Sequence, residues 1–147
     1  MKKVLIAYFS RAGTTEKMAE YIAEGVRMGG CEATVMKISA IKNEKELSGF
    51  DGFVFGCPTY HKDMTSGMKQ FLFVAEKANL TGKIAGAFGS HTHSGEAAPM
   101  IFETMQHVFK MDTIDLGALN LTEAKMASDE GIKACQQYGK ALTEKFK

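Results

Sequence analysis

The sequence has 147 residues, 45% hydrophobic and 24% charged, enough for one substantial core and too few for two domains. With 18 basic and 17 acidic residues the net charge is +1, which excludes the electrostatic footprint of a dedicated nucleic-acid binder. No apolar run approaches the roughly 20 residues that span a bilayer, so no membrane association is expected. The short run Val4 to Phe9 falls below the about 7–15 apolar residues of a secretory h-region. Cys31, Cys57 and Cys135 are odd in number, far apart and match no metal-ligand spacing. A cytoplasmic, disulfide-free chain forming a single domain over residues 1–147 is therefore expected.

In chain order, two kinds of segment alternate. Val4 to Phe9 is continuously apolar, as in a strand buried on both faces of a parallel sheet. Met18, Ala19, Ile22, Ala23 and Val26 then recur at helical steps and stop at Gly29-Gly30, a C-terminal signal. Ala33 to Ile38 alternates, as an edge strand would. Glu44 to Leu47 has the length of a single helical turn. Phe53 to Cys57 is again an apolar strand, and Met68, Phe71, Leu72, Ala75 and Ala78 mark a second helix. Ile84 to Gly89 is a fourth strand. Ile101, Met105 and Val108 mark a third helix, which should start near Pro99 because a mid-helix proline costs about 3 kcal/mol. Thr113 to Leu119 is a weaker fifth strand, and Ile132, Cys135, Leu142 and Phe146 give the last helix. This alternation predicts an α/β doubly wound, five-stranded parallel sheet with helices on both faces. Ligands of such sheets sit beyond the carboxyl ends of the strands, at the topological switch point.

The loops at that edge carry the candidate chemistry. Ser10, Arg11, Ala12, Gly13, Thr14 and Thr15 lead from the first strand into a helix whose dipole and free amides favour a phosphate. Gly13 permits dihedrals that other residues resist and lets the backbone come close. An ordinary strand-to-helix cap is the plainer reading of the same residues. The segment is neither a Walker loop nor a Gly-x-Gly-x-x-Gly fingerprint, and its shortness suits a terminal monophosphate, hence a mononucleotide. After the third strand come Pro58, Thr59, Tyr60, His61, Lys62 and Asp63. After the fourth come Gly89, Ser90, His91, Thr92, His93, Gly95 and Glu96. Planar side chains on both loops suit a planar heterocycle held between them. Two other readings stay open for the histidines: zinc ligation by His61, His91 and His93 with Asp63 or Glu96, or plain polar loop residues. Cys57, at a strand end, reads as a redox thiol or as a small core residue.

Together these segments resemble flavodoxins and flavodoxin-like FMN domains over essentially the whole chain. Ser10, Gly13, Thr15 and Glu16 match the family's phosphate loop, with Ala12 in place of a threonine and Thr14 nearby. Pro58-Thr59-Tyr60 resembles one loop beside the isoalloxazine. Gly89-Ser90 with Ser94-Gly95-Glu96 resembles the other, particularly in the flavodoxin modules of A-type flavoproteins. The resemblance implies FMN as cofactor, the strand order 2-1-3-4-5 and a fifth strand without an inserted loop. It also implies electron transfer between redox partner proteins by a monomer or weak dimer. Three departures stand out: the chain is not acidic, it lacks tryptophan, and His61-Lys62-Asp63 holds no glycine where many relatives have one. Lys62, with histidines in their protonated form, is expected to ease full reduction of the flavin. An FMN-dependent quinone or nitro reductase driven by NAD(P)H is the alternative activity.

Overall fold

The computed structural model describes residues 1–147, arranged as one twisted sheet between two pairs of helices. Strand β1 (Lys3–Tyr8) leads into α1 (Thr14–Met28), then β2 (Glu32–Lys37) and two single turns at Ile38–Ala40 and Glu44–Leu47. Strand β3 (Gly52–Gly56) is followed by a small antiparallel hairpin, β4 (Thr59–Tyr60) and β5 (Asp63–Met64), and by α2 (Ser66–Glu76). Then come β6 (Ile84–His91), α3 (Ala97–Glu103), β7 (Asp112–Thr113), β8 (Leu119–Thr122), α4 (Glu123–Met126) and α5 (Asp129–Glu144). The sheet is parallel in the order β2-β1-β3-β6, with β7 and β8 side by side in sequence along the outer edge of β6. That is the order 2-1-3-4-5, so the expected fold class holds.

The continuous apolar strands work because successive side chains serve opposite faces. Leu5, Ala7, Phe53, Phe55, Ala85 and Ala87 point to the side covered by Met68, Phe71 and Ala75 of α2 and Ile101 of α3. Val4, Ile6, Val54 and Phe88 point to the side covered by Met18, Ile22 and Val26 of α1 and Cys135, Tyr138 and Leu142 of α5. Phe55 meets Phe71 edge to face at 5.0 Å between ring centroids, locking α2 to the sheet. The alternating strand at residues 33–38 is the half-exposed edge strand β2, as its pattern predicts. Glu44–Leu47 is the single turn expected, closed by a capping box from Asn43.

Three local details differ from the sequence reading. The fifth strand is interrupted after all: six residue steps from Thr113 to Leu119 run alongside only three in β6, from Ala85 to Phe88. The surplus turns out at Gly117 (φ 75°), whose carbonyl accepts a hydrogen bond of 2.7 Å from the Tyr138 hydroxyl. Pro99 does sit in the first turn of α3, but that helix widens over Thr104–Val108 into a π turn, with Phe109 N bonded to Thr104 O at 3.0 Å. The extra residue in the turn rotates Phe109 into the core and leaves Val108 55% exposed. The stretch after β3, read as an irregular loop, forms the β4–β5 hairpin.

Helices α1 and α5 approach until their backbones touch. A Cβ on Gly139 would lie 2.1 Å from Ile22 O, and one on Gly25 would lie 2.0 Å from Gln136 O. Alanine gains up to about 1 kcal/mol over glycine in helix propensity, yet a clash with backbone cannot be relieved by a rotamer change. Gly139→Ala is therefore expected to destabilise by about 2–3 kcal/mol, read as a lower urea midpoint with an unchanged slope.

Candidate functional site

The site grows from the carboxyl ends of β1, β3 and β6. At the end of β1 the chain turns through Gly13, whose φ of 94° lies in the left-handed region. Gly13 N donates to Ser10 Oγ at 3.1 Å, closing the loop on itself, and Gly13 O accepts from Lys17 N at 3.1 Å to begin α1. No side chain caps this helix, so its first amides have no protein acceptor. A Cβ at Gly13 would meet no heavy atom within 4 Å; the glycine is required by its dihedral, not by crowding.

Thr15 and Ser90 are both buried, and their hydroxyls lie 2.9 Å apart, joining the α1 terminus to the end of β6. Glu16, in the same first turn, accepts a hydrogen bond of 2.6 Å from the Tyr8 hydroxyl. Burial, and then that carboxylate, push the Tyr8 hydroxyl up to about 12, so it remains the donor. Ser10, Arg11, Ala12, Thr14 and Thr15 line a cavity of about 80 Å³, closed on its other sides by Pro58 to Tyr60 and by Ser90 to Thr92. Its size admits one tetrahedral anion. Glu123, at the start of α4, also lines it.

Arg11, Thr59, Tyr60 and Thr92 border both this cavity and a wider one of about 710 Å³, whose remaining walls are His61, Lys62, His93 and Ser94. The Arg11 guanidinium sits 5.2 Å from the Tyr60 ring centroid, a cation–π contact that ties the first loop to the hairpin. His61 (φ 52°) and Lys62 (φ 61°) form the tip of that hairpin with left-handed backbones and no glycine. Asp63 borders neither cavity: Lys69 binds its carboxylate and, by that hydrogen bond above all, holds it below the usual carboxylate range. Thr59 Oγ1 accepts from Ala97 N at 3.0 Å, pinning the hairpin to the head of α3.

The loop after β6 is propped by Asn120 of β8, whose amide meets His91 Nδ1 at 3.1 Å and Gly95 O at 2.6 Å. Gly95 is thereby a packing residue, since a Cβ there would lie 2.2 Å from the Asn120 amide. Gly89 likewise lets β6 pass Cys57 O, which its Cβ would approach to 2.7 Å. Glu96 borders neither cavity; its Oε1 is buried and receives no donor from the protein. The three loop histidines do not converge, and no three His, Cys, Asp or Glu side chains gather as a metal would require. Cys57 is fully buried in the α2 side of the core, and burial pushes its thiol up to about 11. It is the small core residue and not a redox thiol.

A sheet of this order with a helix N-terminus opening at its switch point defines a mononucleotide-binding α/β protein. The family pattern described as "Flavodoxin domain" matches residues 5–141, and the chain belongs to that family. A flavodoxin of Aquifex aeolicus is 32% identical over 98% of this chain and 86% of its own length. One from Clostridium saccharobutylicum is 28% identical over 99% of this chain and 98% of its own. An NAD(P)H dehydrogenase (quinone) of Sinorhizobium fredii is 28% identical over 95% of this chain and 81% of its own length. Among solved structures, a flavodoxin from the domain Archaea superposes with a TM-score of 0.87 at 28% identity, covering 97% of both chains. The fold also matches part of a flavodiiron protein from Giardia intestinalis, at a TM-score of 0.85 over 98% of this chain and 36% of that one. Flavodoxins bind FMN and transfer electrons.

Glu123 escapes a reading of the loops by motif, because no sequence cue links it to them.

Valine at position 13 is expected to leave the fold intact and to weaken FMN binding about tenfold. A β-branched side chain in the left-handed region costs about 1–2 kcal/mol, and the free loop escapes that cost by leaving the shape a phosphate needs. Fluorescence titration of the deflavinated Gly13→Val protein, beside its thermal melt, checks both halves. Cys57 is expected to resist alkylation in the native protein and to react on unfolding, followed by mass spectrometry.

Proposed function

We propose that this chain holds FMN with its phosphate in the smaller cavity and its ring in the wider one, and carries electrons between redox partner proteins. The observation that carries this reading is the uncapped start of α1 behind the left-handed Gly13, opening into a cavity the size of a single phosphate. Its amides, with the hydroxyls of Ser10, Thr14 and Thr15, would hold the phosphate. Tyr60 and the loop from Thr92 to Ser94 would flank the ring. When bound, FMN supplies the one- and two-electron chemistry. The protein contributes binding, exclusion of water and local charge.

That charge is positive. The wider cavity is walled by Arg11, His61, Lys62 and His93 and by no carboxylate, although the chain as a whole is nearly neutral. Such a mouth favours partners that present carboxylates, because opposite potentials steer the encounter. Three unpaired cysteines, two of them buried, are in keeping with a reducing cytoplasmic setting. The quinone-reductase reading is favoured by the Sinorhizobium relative, which this chain matches over most of its own length.

An absorption spectrum with mass identification of the bound flavin tests the cofactor. Purified protein given NAD(P)H and a quinone tests the activity: dependence on an added reductase is the expected outcome, and rapid turnover alone would select the enzyme. Lys62→Gln is expected to make full reduction harder. The shift is at most about 30 mV in the two-electron couple, because solvent and salt screen an exposed charge. A redox titration with no change in that couple would remove Lys62 from the account.

A further inference from the structure

We infer that Glu123 weakens the hold on the phosphate and so limits how strongly this protein prefers FMN to the same flavin without its phosphate. The inference rests on the phosphate placement proposed above. Glu123 is the first residue of α4 and follows Thr122, whose hydroxyl accepts from Lys125 N at 3.0 Å and caps that helix. Thr122 is in turn paired with His91 at the end of β6, so the parallel register itself delivers Glu123 to the phosphate loop. Its Oε1 lies 3.4 Å from Thr14 Oγ1, and its side chain forms one wall of the small cavity.

No cation neutralises this carboxylate. Lys125, on the same helix, pairs with Glu130, and Arg11, which lines the same cavity, stacks on Tyr60. Glu16, the other acid of the loop, is taken up by Tyr8, and the His91 ring is bonded through Nδ1 to Asn120. Glu123 is thus the one carboxylate that lines the cavity. A phosphate monoester carries about −1.5 to −2 charges at neutral pH. In a small cavity walled by protein, like charges repel more than across open solvent. The amides of α1 and Arg11 attract the phosphate while Glu123 opposes it, which narrows the margin by which FMN is preferred over the phosphate-free flavin.

A plainer role for the same residue is an acid at the first position of α4, complementing the positive end of that helix. The two roles separate by ligand. Deflavinated wild-type and Glu123→Gln proteins are titrated with FMN and with riboflavin, by quenching of flavin fluorescence. Glu130→Gln, an exposed charge change at the neighbouring helix, is the control. Removing the charge while keeping the shape is expected to tighten FMN about tenfold, with riboflavin unchanged within about twofold. An equal change for both flavins, or no change in either, would overturn the inference and leave the helix-end role. Weaker FMN binding alone would overturn it as well, because Glu123 would then be accepting a hydrogen bond from a protonated phosphate oxygen. Gly13→Val, titrated alongside, keeps the two claims apart. If it leaves FMN binding intact, the phosphate placement itself fails; if it weakens FMN while Glu123→Gln changes nothing, only the present inference does.

Discussion

A helix that begins without a cap must be held in place by something else. Caps contribute about 1 kcal/mol to a helix end, and α1 forgoes that contribution at the one terminus that opens onto the switch point. Packing replaces it. Met18, Ile22 and Val26 are fully buried against β1 and β3, and the backbone contact across Gly25 and Gly139 fixes α1 along α5. The Thr15–Ser90 hydroxyl pair then ties the terminus to β6. Every other part of the candidate site takes its position from that immobile end, which leaves the unpaired amides free for a ligand without letting the helix fray.

The charges near the site are sorted in the same way. Two acids that could repel an anion are engaged by neighbours: Glu16 by the Tyr8 hydroxyl and Asp63 by Lys69. Two bases stay available at the mouth, Arg11 on the Tyr60 ring and Lys62 at the hairpin tip. A net charge of +1 therefore conceals a segregation that matters more than the total. Glu123 is held only by the longer bond of 3.4 Å from the Thr14 hydroxyl, and it reaches the site from the far edge of the sheet.

The strands buried on both faces and the amphipathic helices were legible because burial forces a period on the chain: Val4 to Tyr8 had to lie in the middle of a sheet. The turn into α1 was legible because Gly13 directly before an amphipathic helix marks a left-handed residue at the helix start. What stayed hidden depended on contacts distant in sequence. Thr113 to Leu119 reads as a strand, and only the hydrogen bond from Tyr138 to Gly117 O turns its middle outwards. Ile101, Met105 and Val108 have helical spacing, but a π turn exchanges Val108 for Phe109. Glu123 is separated from Thr14 by 109 residues, and the pairing of Thr122 with His91 alone brings them together.

The hairpin beside the wider cavity holds a strained backbone in place. His61 and Lys62 both occupy left-handed backbone conformations, at about 1–2 kcal/mol each for residues with a Cβ. Such a tip persists only when its surroundings over-determine it. Here they do: Arg11 stacks on Tyr60, Lys69 holds Asp63, and Thr59 is fastened to the head of α3. The wall of the wider cavity is therefore set before any ligand arrives, and a planar group entering it loses little to ordering the loop. The smaller cavity, in contrast, combines the uncapped start of α1 with the carboxylate of Glu123. The two cavities are thus set by separate contacts, the wider by those that brace the hairpin and the smaller by the register of β8 on β6.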